Sequence, residues 1–208
     1  VSCGQTARSL WAVMVDPDTA TELPDGRVGE IWLQGNNIGR GYWGLPEETR
    51  EVFDARLRAA LPQHSHADGA DISGSWLRTG DLGFYLDGEL YVTGRLADVI
   101  TIGGRHHYPQ DIEATAADAS PLVRRGYVAA FSVPGEDGEQ LVIIAERASG
   151  TARNDPQPAI DAVRALVPDR HAVTASDVRL LPAGGIPRTT SGKLARRACR
   201  AAYLDGTL

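Results

Sequence analysis

The stretch SWLRTGDLGFYLDGELYVTGR, Ser75 to Arg95, reads as a β-hairpin at the end of a strand-rich region. FYL and ELYV are short runs of β-formers, and between them Asp87-Gly88 is a strong signal for a two-residue turn. Ahead of the hairpin, RTGD (Arg78 to Asp81) presents an aspartate at a glycine turn, with Arg95 fourteen residues later. An aspartate so placed can accept two hydrogen bonds from vicinal hydroxyls, such as those of a ribose. Asp beside Gly is also ordinary Asx-turn chemistry, and the residues alone leave both readings open.

Upstream, SLWAVMVD and VGEIWLQG are apolar runs separated by the turn-forming PDTATELPDGR, so they are expected to pair as strands. GNNIGRGYWGLP is a glycine-rich loop. PEETREVFDARLRAAL opens with proline and acids suited to a helix N-terminus. PQHSHADGADISGS is polar and aperiodic and reads as a surface loop with the composition of a disordered one. Its His64, His66, Asp68 and Asp71 lack a helix or strand to fix them, so a solvated loop is favoured over a metal site.

Downstream of LADVITIGGR, itself a short strand and glycine turn, the pattern becomes helix, strand, strand, helix, strand, helix. The helices are YPQDIEATAADA, PAIDAVRALV and one beginning near Ser191, and the strands RRGYVAAFSV, QLVIIAER and DVRLLP. The expected fold class is therefore α+β: a β-rich, distorted barrel-like subdomain over residues 1–95, a joint at 96–98, and a small α+β domain over 99–208.

Composition excludes several functions. A net charge of −6 without a long basic stretch argues against a nucleic-acid partner. Cys3 and Cys199 form no CxxC pattern, which fits a reducing compartment, and no apolar run is long enough to span a membrane, so a cytoplasmic protein is expected. His106 and His107 are adjacent and cannot face one metal from a strand.

Of 21 basic residues, 20 are arginine, and the only lysine is Lys193, in GGIPRTTSGKLARR. A bias toward arginine fits a GC-rich genome, and the exception stands where a compact ammonium rather than a forked guanidinium is wanted. SGK resembles the tail of a phosphate-binding loop, but six residues separate Gly185 from Gly192 and Leu194 stands where Ser or Thr would bind magnesium. Lys193 is expected in the first turn of the last helix, capped by Thr190 or Ser191, where the helix dipole disfavours a cation unless an anion is held there. A solvated surface cap is the plainer alternative.

GEIWLQGNNIGRGYWGLPEET, WLRTGDLGFYLDGELYVTGR, GRLADVITIGGRHHYPQDIE and IPRTTSGKLAR occur in this order in the adenylate-forming superfamily, which the chain resembles over nearly its whole length. GRHHYPQDIEAT and GYVAAFSVPG look most like fatty acyl-AMP ligases. These activate a fatty acid with ATP and Mg2+ as its adenylate and pass it to an acyl carrier protein of a polyketide or peptide synthase. An acyl- or aryl-CoA synthetase and a noncatalytic docking module are the alternatives.

The resemblance implies that Asp81 binds the ribose hydroxyls, Arg95 the ribose or phosphate, and that Thr93 lies near the adenosine. It implies that Lys193 bridges the acyl carboxylate and the α-phosphate. It also implies a hinge at Ala97 and Asp98, although Ala97 replaces the usual Asp or Lys. The ATP phosphate loop, the adenine motif and the acyl pocket find no counterpart here. The chain is therefore expected to be the C-terminal part of a larger enzyme, to work with its own N-terminal domain, and to be inactive alone.

Overall fold

In the computed structural model, which describes residues 1–208, strands β1 (Leu10–Val15), β2 (Gly29–Gly35), β3 (Leu77–Leu86) and β4 (Glu89–Arg95) form one antiparallel sheet in the order β1-β2-β3-β4. They belong to the first of two compact units, Val1–Ala97 and Asp98–Leu208. The sheet is open, with β1 and β4 at its edges, so the barrel-like closure expected for this region does not form.

The period of two along a strand explains the core on each side. Val13, Val15 and Trp32 pack with Leu57, Ala67 and Trp76, while Met14 and Ile31 turn to the other face and pack with Tyr85. Asp87 and Gly88 both lie in the left-handed region, at φ 52° and 76°, the geometry of a turn whose twist matches its strands. A Cβ at Gly88 would meet no atom within 4 Å, so Gly88→Ala is expected to cost about 1 kcal/mol from backbone strain alone. Urea denaturation would read that loss.

Two expectations for this unit change. Helix α1 (Pro46–Phe53) stops short of the sixteen-residue segment PEETREVFDARLRAAL, and none of its residues is buried. Beyond it, Ala55 exchanges backbone hydrogen bonds with Trp76, Glu22 N donates to Ala59 O, and Leu57 enters the core. A helix burying no face has little to sustain it, and the strand-like pairing wins. The polar segment after it is also tied down. The buried Glu22 carboxylate accepts from Leu61 N, Ser65 Oγ and His66 N, and Ala67 is buried.

The second unit opens with a two-stranded ribbon, β5 (Ile100–Ile102) and β6 (Arg105–His107). It continues with α2 (Pro109–Ala119), β7 (Val123–Gly135), β8 (Gly138–Arg147), α3 (Gln157–His171), β9 (Ala175–Leu181) and α4 (Arg196–Leu204). The main sheet has the order β7-β8-β9, antiparallel between β7 and β8 and parallel between β8 and β9, the parallel pair being joined through α3. Central strand β8 reads as a continuous apolar run because both its faces are covered. Leu141, Ile143 and Ala145 pack among residues of α2 and α3, whereas Val142 and Ile144 pack with Ile186, Cys199 and the partly buried Leu194.

Helix α3 runs through Pro168 to His171, beyond the expected PAIDAVRALV. Its last residue is pinned by Thr115 Oγ1, 2.7 Å from His171 Nε2. Helix α4 starts at Arg196 rather than near Ser191, which alters the setting of Lys193.

Candidate active site

The candidate residues of the first unit are built around a buried carboxylate. Glu30 lies on β2 with 2% exposure and accepts hydrogen bonds from Trp32 Nε1 (2.9 Å), Arg78 Nε (3.0 Å), Arg78 Nη2 (2.9 Å) and Gly80 N (3.1 Å). One carboxylate thereby fixes both the start of the RTGD turn and its glycine amide, and both of its oxygens find hydrogen-bond donors despite burial. Thr79 Oγ1 donates to Ile31 O (2.8 Å) and accepts from Asp81 N (3.0 Å). Gly80 sits at φ 70°, where a side chain would be strained.

Asp81 and Arg95 are register partners on β3 and β4, and their side chains form an ion pair at 3.1 Å. The Asp81 carboxylate thus turns to Arg95 rather than closing an Asx-turn on its own backbone. Thr93, two residues before Arg95, donates from Oγ1 to Leu82 O (3.2 Å). Asp81, Thr93 and Arg95 therefore gather on adjacent strands, and the carboxylate and guanidinium both remain partly open to solvent, at 36% and 67% side-chain exposure. Such a pair can accept from hydroxyls on one side and donate to a phosphate on the other.

A single turn of 3-10 helix, Leu96–Asp98, follows. Ala97 is exposed and has no polar side chain to contribute. Asp98 accepts from Arg196 Nη1 at 3.0 Å, and Arg196 also donates from Nε and Nη2 to Glu113 at 2.6 and 2.8 Å. Burial pushes the Glu113 carboxyl up, against the pull of Arg196.

The candidate element of the second unit is the loop carrying Lys193. It is not the first turn of a helix, because α4 begins three residues later and its cap, Ala195, supplies no side chain. The dipole argument for an anion at that helix end therefore does not apply. Instead Thr189 N donates to Lys193 O (2.9 Å), Lys193 N donates to Thr189 Oγ1 (3.0 Å), and Arg188 bridges to Leu194 as in a short antiparallel ladder. Thr190 and Ser191 cap nothing; Ser191 Oγ lies 3.0 Å from Thr189 Oγ1. The loop is pinned at both ends by Ile186 and Leu194 in the core, and the Lys193 side chain stands exposed without an ion pair.

Other titratable groups stand apart from this arrangement. His106 Nδ1 lies 3.0 Å from Thr101 Oγ1, and burial, followed by the nearby His171, holds the His107 imidazole below its ordinary value. Burial pushes the Cys199 thiol up to about 11, so it is an inert core group. The buried glutamates Glu30 and Glu146 went unselected in the sequence. Their signal is a lone acid inside an apolar strand, GEIW in one case and LVIIAER in the other.

A β-rich unit carrying an RTGD turn, followed by a small α+β unit with an SGK loop, is the arrangement that the resemblance to adenylate-forming enzymes implies. No protein-family model matches the chain. A long-chain-fatty-acid–AMP ligase, FadD32 of Mycolicibacterium smegmatis, is 51% identical across 100% of this chain and 36% of its own length. JamA of Moorena producens, a medium-chain-fatty-acid–[acyl-carrier-protein] ligase, is 39% identical across 100% of this chain and 33% of its own. One solved structure from a study of fatty acyl-adenylate ligases from E. coli and L. pneumophila superposes with a TM-score of 0.76 at 31% identity, over 99% of this chain and 32% of its own. The chain is thus similar over its whole length to one part of fatty acyl-AMP ligases, and it spans about a third of the length of these relatives.

Proposed function

We propose that this chain supplies the ribose-binding turn and the reacting lysine of an enzyme that activates a fatty acid with ATP. The acid's carboxylate oxygen attacks the α-phosphorus, the bond from that phosphorus to the bridging β-oxygen breaks, and pyrophosphate leaves with the electron pair. Asp81 takes the ribose hydroxyls and Arg95 the ribose or phosphate, with Thr93 beside the adenosine. Lys193 lies between carboxylate and α-phosphate, where a compact cation offsets the charge that builds up as two anions meet. No group of three or more His, Cys, Asp or Glu in this chain is placed to hold a metal ion, and the magnesium that accompanies ATP is assigned mainly to the enzyme's N-terminal part.

The observation that carries this reading is the Lys193 loop, in which the only lysine of the chain is exposed and unpaired on a backbone anchored at both ends. Rotation of the second unit about residues 96–98 then exchanges the adenylation and transfer states, with Ala97 at the pivot and Asp98 held to Arg196. The acyl group passes to the thiol of a carrier protein serving a polyketide or peptide synthase, and the demand for ATP suits the cytoplasm. No helix is long and apolar enough to cross a membrane.

The test uses the full-length enzyme with ATP, a fatty acid and either a phosphopantetheinylated carrier protein or coenzyme A. Fatty-acid-dependent pyrophosphate release and acylation of the carrier are expected. Efficient acyl-CoA formation would replace this acceptor assignment with that of a CoA synthetase.

A further inference from the structure

We propose that Arg188 is the positioning residue for Lys193, and that it holds the lysine's peptide group through a guanidinium stacked on Tyr127. This rests on the reading of Lys193 as the reacting cation, but its structural core can be measured without that reading.

The peptide between Gly192 and Lys193 is gripped at both ends. Its carbonyl, Gly192 O, accepts from Arg188 Nη1, and its amide, Lys193 N, donates to Thr189 Oγ1 at 3.0 Å. Gly192 sits at φ 79°, a left-handed conformation from which a loosely held peptide plane can turn over. With both ends fixed, the direction in which the Lys193 side chain leaves the backbone is fixed too.

Arg188 is exposed, so its own placement needs a cause. Its Cζ lies 3.8 Å from the Tyr127 ring centroid, and that of Arg124 lies 3.4 Å from the same centroid. Two planar cations that close cannot share one face, so the ring is sandwiched between them. The second arm of Arg188, Nη2, donates to Gly126 O at 2.5 Å. Tyr127 and Gly126 are available because β7 bulges there: its register on β8 jumps from Val123–Arg147 to Val128–Ala145, leaving residues 124–127 outside the ladder.

Glu146 closes the circuit. Its carboxylate, 1% exposed, accepts from Arg124 Nη1 (2.9 Å) through Oε2 and from Ile186 N (3.0 Å) through Oε1. Ile186 enters the loop two residues before Arg188. The buried acid thus anchors both the lower cation of the sandwich and the entry of the lysine loop. A lysine at 188 could not reproduce this, because it lacks the planar fork that stacks on a ring while donating to two carbonyls. The Lys193 ammonium takes no part in the circuit and keeps its freedom to reach a ligand.

Because Lys193 is the only lysine, lysine-selective 15N labelling of the 208-residue chain yields a single backbone amide resonance, that of the gripped peptide. In Arg188→Ala that resonance is expected to move and its hydrogen exchange to accelerate about tenfold, the effect of losing one charge-assisted hydrogen bond. The thermal midpoint should stay unchanged. Tyr127→Leu should move the resonance the same way, while Tyr127→Phe, which keeps the ring, should leave it in place.

An unaltered resonance and exchange rate in both Arg188→Ala and Tyr127→Leu would overturn the proposal. In the full-length enzyme Arg188→Ala should lower kcat for adenylate formation about tenfold and leave the fatty-acid KM alone; an unchanged kcat would overturn its positioning role. Should the amide loosen while Lys193→Ala leaves adenylation intact, the brace stands and the catalytic reading of Lys193 falls, so the two failures are told apart.

Discussion

Replacing Lys193 with alanine in the full-length enzyme is expected to slow fatty-acid-dependent pyrophosphate release by about a hundredfold or more. The proposed reaction brings a carboxylate toward a phosphate, and both reactants are anionic. A cation that reaches both lowers the barrier more than it tightens binding of either, because charge is concentrated only as they meet. The loss should therefore fall mainly on kcat. Lys193→Arg keeps the charge but substitutes a bulkier planar group, and only partial recovery is expected. Since the side chain is exposed and outside every core cluster, the thermal midpoint should not move. Unchanged pyrophosphate release in Lys193→Ala would refute the catalytic role and favour a docking module whose motifs are vestigial.

Glu30→Ala is the second large effect, and it falls on stability. The carboxylate is 2% exposed and serves Arg78, Trp32 and Gly80 together, so its removal leaves a guanidinium, an indole N–H and a backbone amide without their acceptor. Breaking a buried pair from one side costs about 3–5 kcal/mol, and because the Arg78 side chain is 36% exposed the lower end, about 3 kcal/mol, is expected. Glu30→Gln should cost less, because the amide oxygen still accepts one of these donors. Trp11, Trp32, Trp43 and Trp76 are the four tryptophans of the chain and all lie in the first unit, so their fluorescence in urea reads that unit alone. A midpoint unchanged by Glu30→Ala would show that the RTGD turn holds without its buried acid.

Local chemistry made much of this chain legible from sequence. Asp87-Gly88 closes a hairpin because both residues tolerate positive φ, and Pro109 opens α2 where its missing N–H costs nothing. The apolar runs of β1, β2, β7 and β8 became strands for the same local reason. Failures came where partners distant in sequence decided the outcome. The residues after Phe53 had the composition of a helix, but Trp76 and Thr21 offered them backbone pairing. The polar segment from Pro62 to Ser75 looked unconstrained until Glu22, forty residues earlier, supplied its acceptor.

The candidate site divides in the same way. Asp81 and Arg95 could be singled out by spacing and Thr93 by the resemblance alone, and the register of β3 on β4 brings them together. The expected helix at Lys193 failed because the segment from Thr189 to Lys193 closes on itself by hydrogen bonds, and Gly192 takes a positive φ. Arg188, Tyr127 and Glu146 carried no motif that marked them. Their roles depend on a bulge in β7, which periodicity alone does not reveal.

The alternation along β8 has a consequence for how such a chain can change over generations. Ile143 and Leu141 answer to α2 and α3, while Val142 and Ile144 answer to α4 and to Ile186 at the mouth of the lysine loop. The sheet therefore works as a partition between two packing environments that share a backbone but few side-chain neighbours. Compensating substitutions can accumulate among the helices behind it, altering volume and shape there, while the loop carrying Lys193 in front keeps its footing.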